Sequence, residues 1–169
     1  YMNIYKDFIT QITVFSKDST RQRGALLPAG TSWRPYVNVP GKTYSYGVGV
    51  GVAYSLPKNI QVKANYNYMN YKVKGGDSAI ATASDLGFNS SKHQFFVGIS
   101  GDKVWKGLGF SIDYRWQSAI AWNSDFADGT VKPHGSLDAN LSYFLDKAYT
   151  TFKIGATNIA GPMYLTNVG

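Results

Sequence analysis

The sequence predicts an all-β chain, an antiparallel transmembrane β-barrel segment, on three observations. The first is composition. Aromatic residues make up 15% of the 169 residues, Gly numbers 18, and all ten acidic residues are Asp, with no Glu. Aromatics favour strands, whereas the missing Glu is a good helix former and Asp a poor one. The second is alternation. In "GLGFSIDYRWQSAIAW" (107–122), Leu108, Phe110, Ile112, Tyr114 and Trp116 fall on one face, and Gly109, Ser111, Asp113, Arg115 and Gln117 on the other. The third is strand length. Such runs extend over about 10–15 residues, where globular strands have about 5 or 6 and a tilted membrane strand needs about 9–11.

The remaining strands follow the same rule. Residues 42–56 set Val48, Val50, Val52, Tyr54 and Leu56 against Gly47, Gly49, Gly51, Ala53 and Ser55. Residues 59–73 set Ile60, Val62, Ala64, Tyr66 and Tyr68 against Gln61, Lys63, Asn65 and Asn67. Residues 93–101 carry Phe95, Val97 and Ile99 on one face. Residues 136–145 set Leu137, Ala139, Leu141, Tyr143 and Leu145 against Ser136, Asp138, Asn140 and Ser142. Residues 149–158 set Phe152, Ile154 and Ala156 against Thr151, Lys153, Gly155 and Thr157. Residues 1–15 read as one further strand whose alternation is blurred by Lys6 and Asp7, so its register stays open. The total is about seven strands.

Connections alternate in length. Residues 55–59, 101–107 and 145–149 are short; 16–41, 74–92, 123–135 and 159–169 are long. All six prolines fall in these connections, as the missing amide hydrogen requires. Short turns at one end and long loops at the other mark outer-membrane barrels. Aromatics gather near both ends: Tyr44, Tyr46, Tyr68, Trp116 and Trp122 toward the long loops, Tyr54, Trp105, Tyr143 and Tyr149 toward the short turns. Arg or Lys facing mid-bilayer lipid costs roughly 2–4 kcal/mol. Lys63, Asp113, Arg115, Asp138 and Lys153 all lie in the polar register, so the apolar register is the one that meets lipid. An odd strand number and two open edges, which lipid does not tolerate, imply part of a larger barrel with further strands beyond Tyr1 and Gly169. A soluble β-sandwich alternates in the same way, and solubility without detergent distinguishes it.

The absence of Cys excludes disulfides and thiolate metal sites. The net charge of +7 is scattered and accompanied by no nucleic-acid motif, so no nucleic-acid partner is assigned; lipopolysaccharide phosphates suit such a surface. His134, Ser136 and Asp138 share a face. Same-face neighbours on a strand stand roughly 6.5–7 Å apart, too far for the hydrogen bonds of a triad. No catalytic, cofactor or metal residues are assigned. The lumen-facing candidates are Gln61, Lys63, Asn65, Asn67, Asp113, Arg115, Gln117, Asp138, Asn140 and Lys153, available to solvent, a plug or a ligand. The outer-loop ligand candidates are Arg21, Arg23, Trp33 and Arg34, the cations suiting an anionic ligand and Trp33 offering a stacking face for a sugar.

Residues 40–169 resemble the C-terminal barrel of TonB-dependent receptors of the Bacteroidetes type, including SusC-like transporters. The resemblance is carried by "YGVGVGVAYSLPKNIQVKANYNYMNY", by "LGFSIDYRWQSAIAWNSDF" leading to "GSLDANLSY", and by "KIGATNI" with its Gly-Pro loop. It implies a bacterial outer-membrane barrel of about 22 strands that is not an enzyme and has no cofactor. Such a barrel imports a glycan, peptide, siderophore or cobalamin-like ligand. It further implies partners: the barrel's own plug domain, TonB engaged through a TonB box N-terminal to this segment, and a SusD-like surface lipoprotein as lid. Plug and final strand lie outside residues 1–169 on this reading. The alternative is the same barrel recruited as a structural or secretion-associated partner without transport of its own.

Overall fold

A computed structural model describes residues 1–25, 36–74, 89–123 and 128–160. Among the described residues ten strands form: β1 Met2–Tyr5, β2 Phe8–Ala25, β3 Tyr36–Leu56, β4 Ile60–Lys74, β5 His93–Trp105, β6 Leu108–Gln117, β7 Ile120–Asn123, β8 Asp128–Val131, β9 His134–Leu145 and β10 Thr150–Ala156. Eight make one antiparallel sheet in the order β1-β2-β3-β4-β5-β6-β9-β10, and β7 and β8 form a separate hairpin. Sheet neighbours follow one another in the chain except at β6 and β9, between which β7 and β8 intervene, and the sheet is not closed.

Three sequence expectations need correction. Residues 1–15 are not one strand. Lys6 and Asp7, which blur the alternation, are a two-residue turn, with Tyr5 paired to Phe8 and Lys6 at φ 50°. The main sheet therefore has eight strands, not about seven, and the inference from an odd number falls; the two unpaired edges, β1 and β10, remain. The 16–41 connection is also shorter than expected, because β2 continues to Ala25 and β3 begins at Tyr36. Pro40 consequently lies within a strand. Gln22 pairs Val39 and Thr20 pairs Lys42, so Pro40 and Gly41 stand opposite Arg21 in a bulge, where no ladder hydrogen bond is asked of the proline. Finally, β5 runs on to Trp105 through an irregularity after Gly101, which confines the 101–107 connection to Lys106 and Gly107.

The short turns lie together at one end. They are Lys6–Asp7, residues 57–59, Lys106–Gly107, and the 3-10 turn Asp146–Ala148 with Tyr149 in the left-handed region. Lys106 at φ 45° and Gly107 at φ 85° give the positive pair that a type I′ hairpin requires.

Each apolar set falls on one common face. Cross-strand pairing runs Val52–Ala64–Val97–Tyr114–Leu137 and Tyr54–Val62–Ile99–Ile112–Ala139 without a change of face. Among the described residues the only buried hydrophobics are Ile120 and Val131, both in the β7–β8 hairpin. The sheet has no protein core. Val50, Val97, Ile112, Leu141, Phe152 and Ile154 stay exposed, at 38–74%. A face of that size needs an apolar neighbour.

The aromatics near the long loops fall on a slanted line across the sheet. On the apolar face Tyr46 of β3 pairs Asn70; Tyr68, two residues further toward the short turns, pairs His93; and Trp116 of β6 pairs Phe95, two further again. This line drifts four residues over three strand steps, roughly 13 Å along the strands against roughly 14 Å across them. A line of that slope is level in a bilayer when the strands tilt by about 40°, the tilt of membrane barrels. From Tyr44 to Tyr54 is ten residues of β3, so the two aromatic levels stand roughly 25 Å apart in height at that tilt, the thickness of the barrel apolar band. Trp122 is not part of the belt, because β7 lies off the main sheet. Phe95 stacks on Trp116 at 5.5 Å, and Tyr68 lies 5.1 Å from the His93 ring. The Tyr66 hydroxyl and His93 Nδ1 share a 2.8 Å hydrogen bond. His93 thus lies within the aromatic cluster, beside Tyr66 and Tyr68.

Candidate functional site: the polar face of the sheet

The polar register builds the opposite face as a series of cross-strand rows. Nearest the long loops, Asn67, Gln94, Gln117 and His134 are successive partners. The next row is Asn65, Phe96, Arg115 and Ser136; then come Lys63, Gly98, Asp113 and Asp138; then Gln61, Ser100, Ser111 and Asn140. Lys153 pairs Ser142 at the edge. All ten lumen-facing candidates therefore share one face, spread over four strands and not gathered at one point.

Glycine shapes this face. A Cβ on Gly49 would come within 2.8 Å of the Asn67 side-chain oxygen, and one on Gly51 within 2.6 Å of that of Asn65. On Gly47 it would meet the Phe15 ring at 2.7 Å. The stripe Gly47, Gly49, Gly51 is a shallow bed on which an aromatic and two amides lie flat. Phe96 rests over Gly98 in the same way, 2.8 Å from a would-be Cβ.

Asp113 and Asp138 are directly opposed, a pairing that like charges destabilise. Two contacts relieve it. Arg115 forms an ion pair with Asp138, whose second oxygen accepts the Asn158 backbone N–H at 2.9 Å. The Asp113 carboxylate lies over Gly98, away from Asp138. Arg115 is 57% exposed and Asp138 10%, so the carboxylate is the anchored partner. Asp138→Ala removes both contacts. Its expected cost is about 1–2 kcal/mol, a few degrees in unfolding temperature, with Asp138→Asn retaining part through the Asn158 hydrogen bond. Thermal unfolding of the two variants, followed by gel mobility, checks this ordering.

A groove of about 330 Å³ opens on this face between Asn67, Gln94, Phe96, Arg115, Gln117 and His134. Gln94 and Phe96 were not among the candidates, although the alternation Gln94, Phe96, Gly98, Ser100 carries them opposite Phe95, Val97 and Ile99. Phe15 lines an adjoining groove with Gln11, Asn65 and Asn67. His134, Ser136 and Asp138 do not form a triad: His134 Nδ1 lies 3.1 Å from the Lys132 carbonyl and Asp138 is held by Arg115. No group of three or more His, Cys, Asp or Glu suited to a metal ion occurs among the described residues. Of the outer-loop candidates, Arg21 and Arg23 belong to β2 and not to a loop, while Trp33 and Arg34 lie outside the described residues.

The model of the TonB dependent receptor-like, beta-barrel family matches residues 1–159. The chain belongs to that family. Members are outer-membrane receptors and transporters, not enzymes, and in general work with a plug domain and TonB. The open eight-stranded sheet is a segment of such a barrel. A comparison with curated proteins gives no match.

Proposed function

We propose that this chain is part of an outer-membrane, TonB-dependent importer of the SusC-like, Bacteroidetes type, with a SusD-like surface lipoprotein as its lid. The plug and the strands that close the barrel belong, on this reading, to the rest of the protein, and the polar face lines the lumen. The observation that carries the ligand reading is the row Asn67, Gln94, Gln117 beside Phe96 at the long-loop end of the polar face. Side-chain amides both donate and accept, and an aromatic face stacks on sugar rings or peptide planes. Of a glycan, peptide, siderophore or cobalamin-like cargo, such a surface suits the neutral, hydroxyl- or amide-rich ones best, a glycan or peptide.

The test is deletion of the full-length gene in the source bacterium, followed by growth on defined glycans, peptides, iron-siderophore and cobalamin. Loss of growth on one class, restored by the wild-type receptor but not by one lacking its TonB-engaging segment, is expected. Unchanged growth on all four, with the protein co-purifying in a secretion assembly, favours the structural alternative. Within the importer, Phe96→Ala leaves assembly intact and raises the half-saturating ligand concentration roughly 2–10-fold, the worth of one aromatic contact.

A further inference from the structure

Phe15 and Phe96 lie on the polar face at one level. Phe15 of β2 pairs Gly47, whereas Phe96 of β5 belongs to the row Gln11, Gly51, Asn65, Phe96. Phe96 therefore stands three strand steps from Phe15 and four residues nearer the short turns, the distance from Phe15 to Gln11 along β2. This slope equals that of the Tyr46–Tyr68–Trp116 line on the opposite face, so both lines are level at the same strand tilt. Three steps across and four residues along place the two positions roughly 19 Å apart. Each ring lies over a glycine, Phe15 over Gly47 and Phe96 over Gly98.

A groove of about 440 Å³ joins the two rings. Between them it is lined by Gln11, Thr13, Asn65 and Asn67 over the bed of Gly49 and Gly51, and none of the described residues that line it is charged. No hydrogen bond among the described residues engages the side chains of those four. Their amides and hydroxyl both donate and accept, which suits a neutral ligand rich in hydroxyls. Two stacking faces roughly 19 Å apart are beyond the reach of one sugar ring and within that of a chain of several. A peptide laid across a sheet draws its affinity from main-chain partners, and β3 and β4 have theirs committed to ladders on both sides. We propose that Phe15 and Phe96 are the two ends of a track for an extended, neutral oligosaccharide, with one sugar face stacked on each ring and the hydroxyls between them bonded to the amides. The track names the cargo of the importer proposed above and rests on that reading. It makes the receptor selective for length, because only a chain that spans the groove engages both rings.

The experiment measures binding of β-1,4-linked glucose, mannose and xylose oligosaccharides, whose chains are flat and extended, to the full-length receptor in detergent. Each series is offered as disaccharide and as hexasaccharide. In at least one series wild type binds the hexasaccharide more tightly, and roughly 2–10-fold of that advantage, the worth of the second aromatic contact, disappears in F15A and equally in F96A. Disaccharide binding, for which either ring suffices, changes little in the two variants. F15W/F96W keeps the length advantage and so reports intact folding. No hexasaccharide advantage in any series, or an advantage that survives in both F15A and F96A, overturns the track. Tighter binding of a neutral Gly-Ser hexapeptide than of every hexasaccharide overturns it too. Deletion of the gene separates the two readings. Growth lost on a glycan, without a ring-dependent length advantage in the purified receptor, removes the track alone; growth unchanged on glycans and peptides alike, with no binding of any series, removes the track and the importer together.

Discussion

Ile112→Arg blocks assembly of the barrel in the membrane, and Ser111→Arg, one residue away, does not. Ile112 lies mid-strand on the apolar face, 45% exposed, flanked by Ile99 and Ala139. A guanidinium there enters the bilayer at a cost of roughly 2–4 kcal/mol, a large share of the stability of an ordinary domain. Ser111 sits between Ser100 and Asn140 on the polar face and receives a hydrogen bond from the Asn140 amide at 3.1 Å. Arginine at that position loses one weak contact and keeps its charge in a polar setting. The fraction of each variant reaching the folded, gel-shifted form reads the difference. Equal tolerance contradicts the assignment of faces.

The second large effect belongs to Gly107→Val. Gly107 takes φ 85° in the two-residue turn between Trp105 and Leu108, and a Cβ there would collide with the Phe144 carbonyl of the neighbouring strand. A left-handed conformation costs a residue with a Cβ about 1–2 kcal/mol before any collision, and a β-branched residue more. The turn has only this glycine to work with, because its other residue, Lys106, already occupies φ 45°. A hairpin that relieves the strain by slipping one residue turns Asp113 and Arg115 onto the lipid face. Gly107→Val is therefore expected to cut the folded fraction severely, whereas Lys106→Asn, at a position asparagine tolerates, leaves it unchanged or slightly raised. Folding yield in lipid vesicles checks both.

The strands that cross the apolar band were legible because lipid on one side and a polar space on the other enforce a period of two. Val48 to Leu56, Ile60 to Tyr68, Leu108 to Trp116 and Leu137 to Leu145 all keep the face their alternation assigns. Where lipid stops, that signal stops. Residues 16–24 carry no apolar side chain that could mark a face, and 36–41 hold Pro40, so both stretches read as loop although they lie in β2 and β3. The Lys6–Asp7 turn was missed because it holds its left-handed residue without glycine or asparagine. The β7–β8 hairpin has strands of only four residues and no lipid face. On the polar face, residues whose charge or amide stood out were readable, such as Arg115 and Asn67. Phe15 and Phe96 were not, because an aromatic on that face is explained by the glycine it covers, Gly47 for one and Gly98 for the other. That relation crosses strands or skips a residue and has no trace in local composition.

The most direct test of the membrane assignment is a single-label scan of residues 108–117 in the full-length receptor in lipid bilayers. This segment has no cysteine of its own to interfere. Spin labels introduced one at a time are compared for collision with oxygen, which concentrates in lipid, and with a water-soluble nickel chelate. Labels at 108, 110, 112, 114 and 116 are expected to favour oxygen and those at 109, 111, 113, 115 and 117 to be shielded from it, giving a period of two along the strand. A flat profile, or the opposite phase, would mean that the apolar face does not meet lipid and that the sheet packs against protein instead.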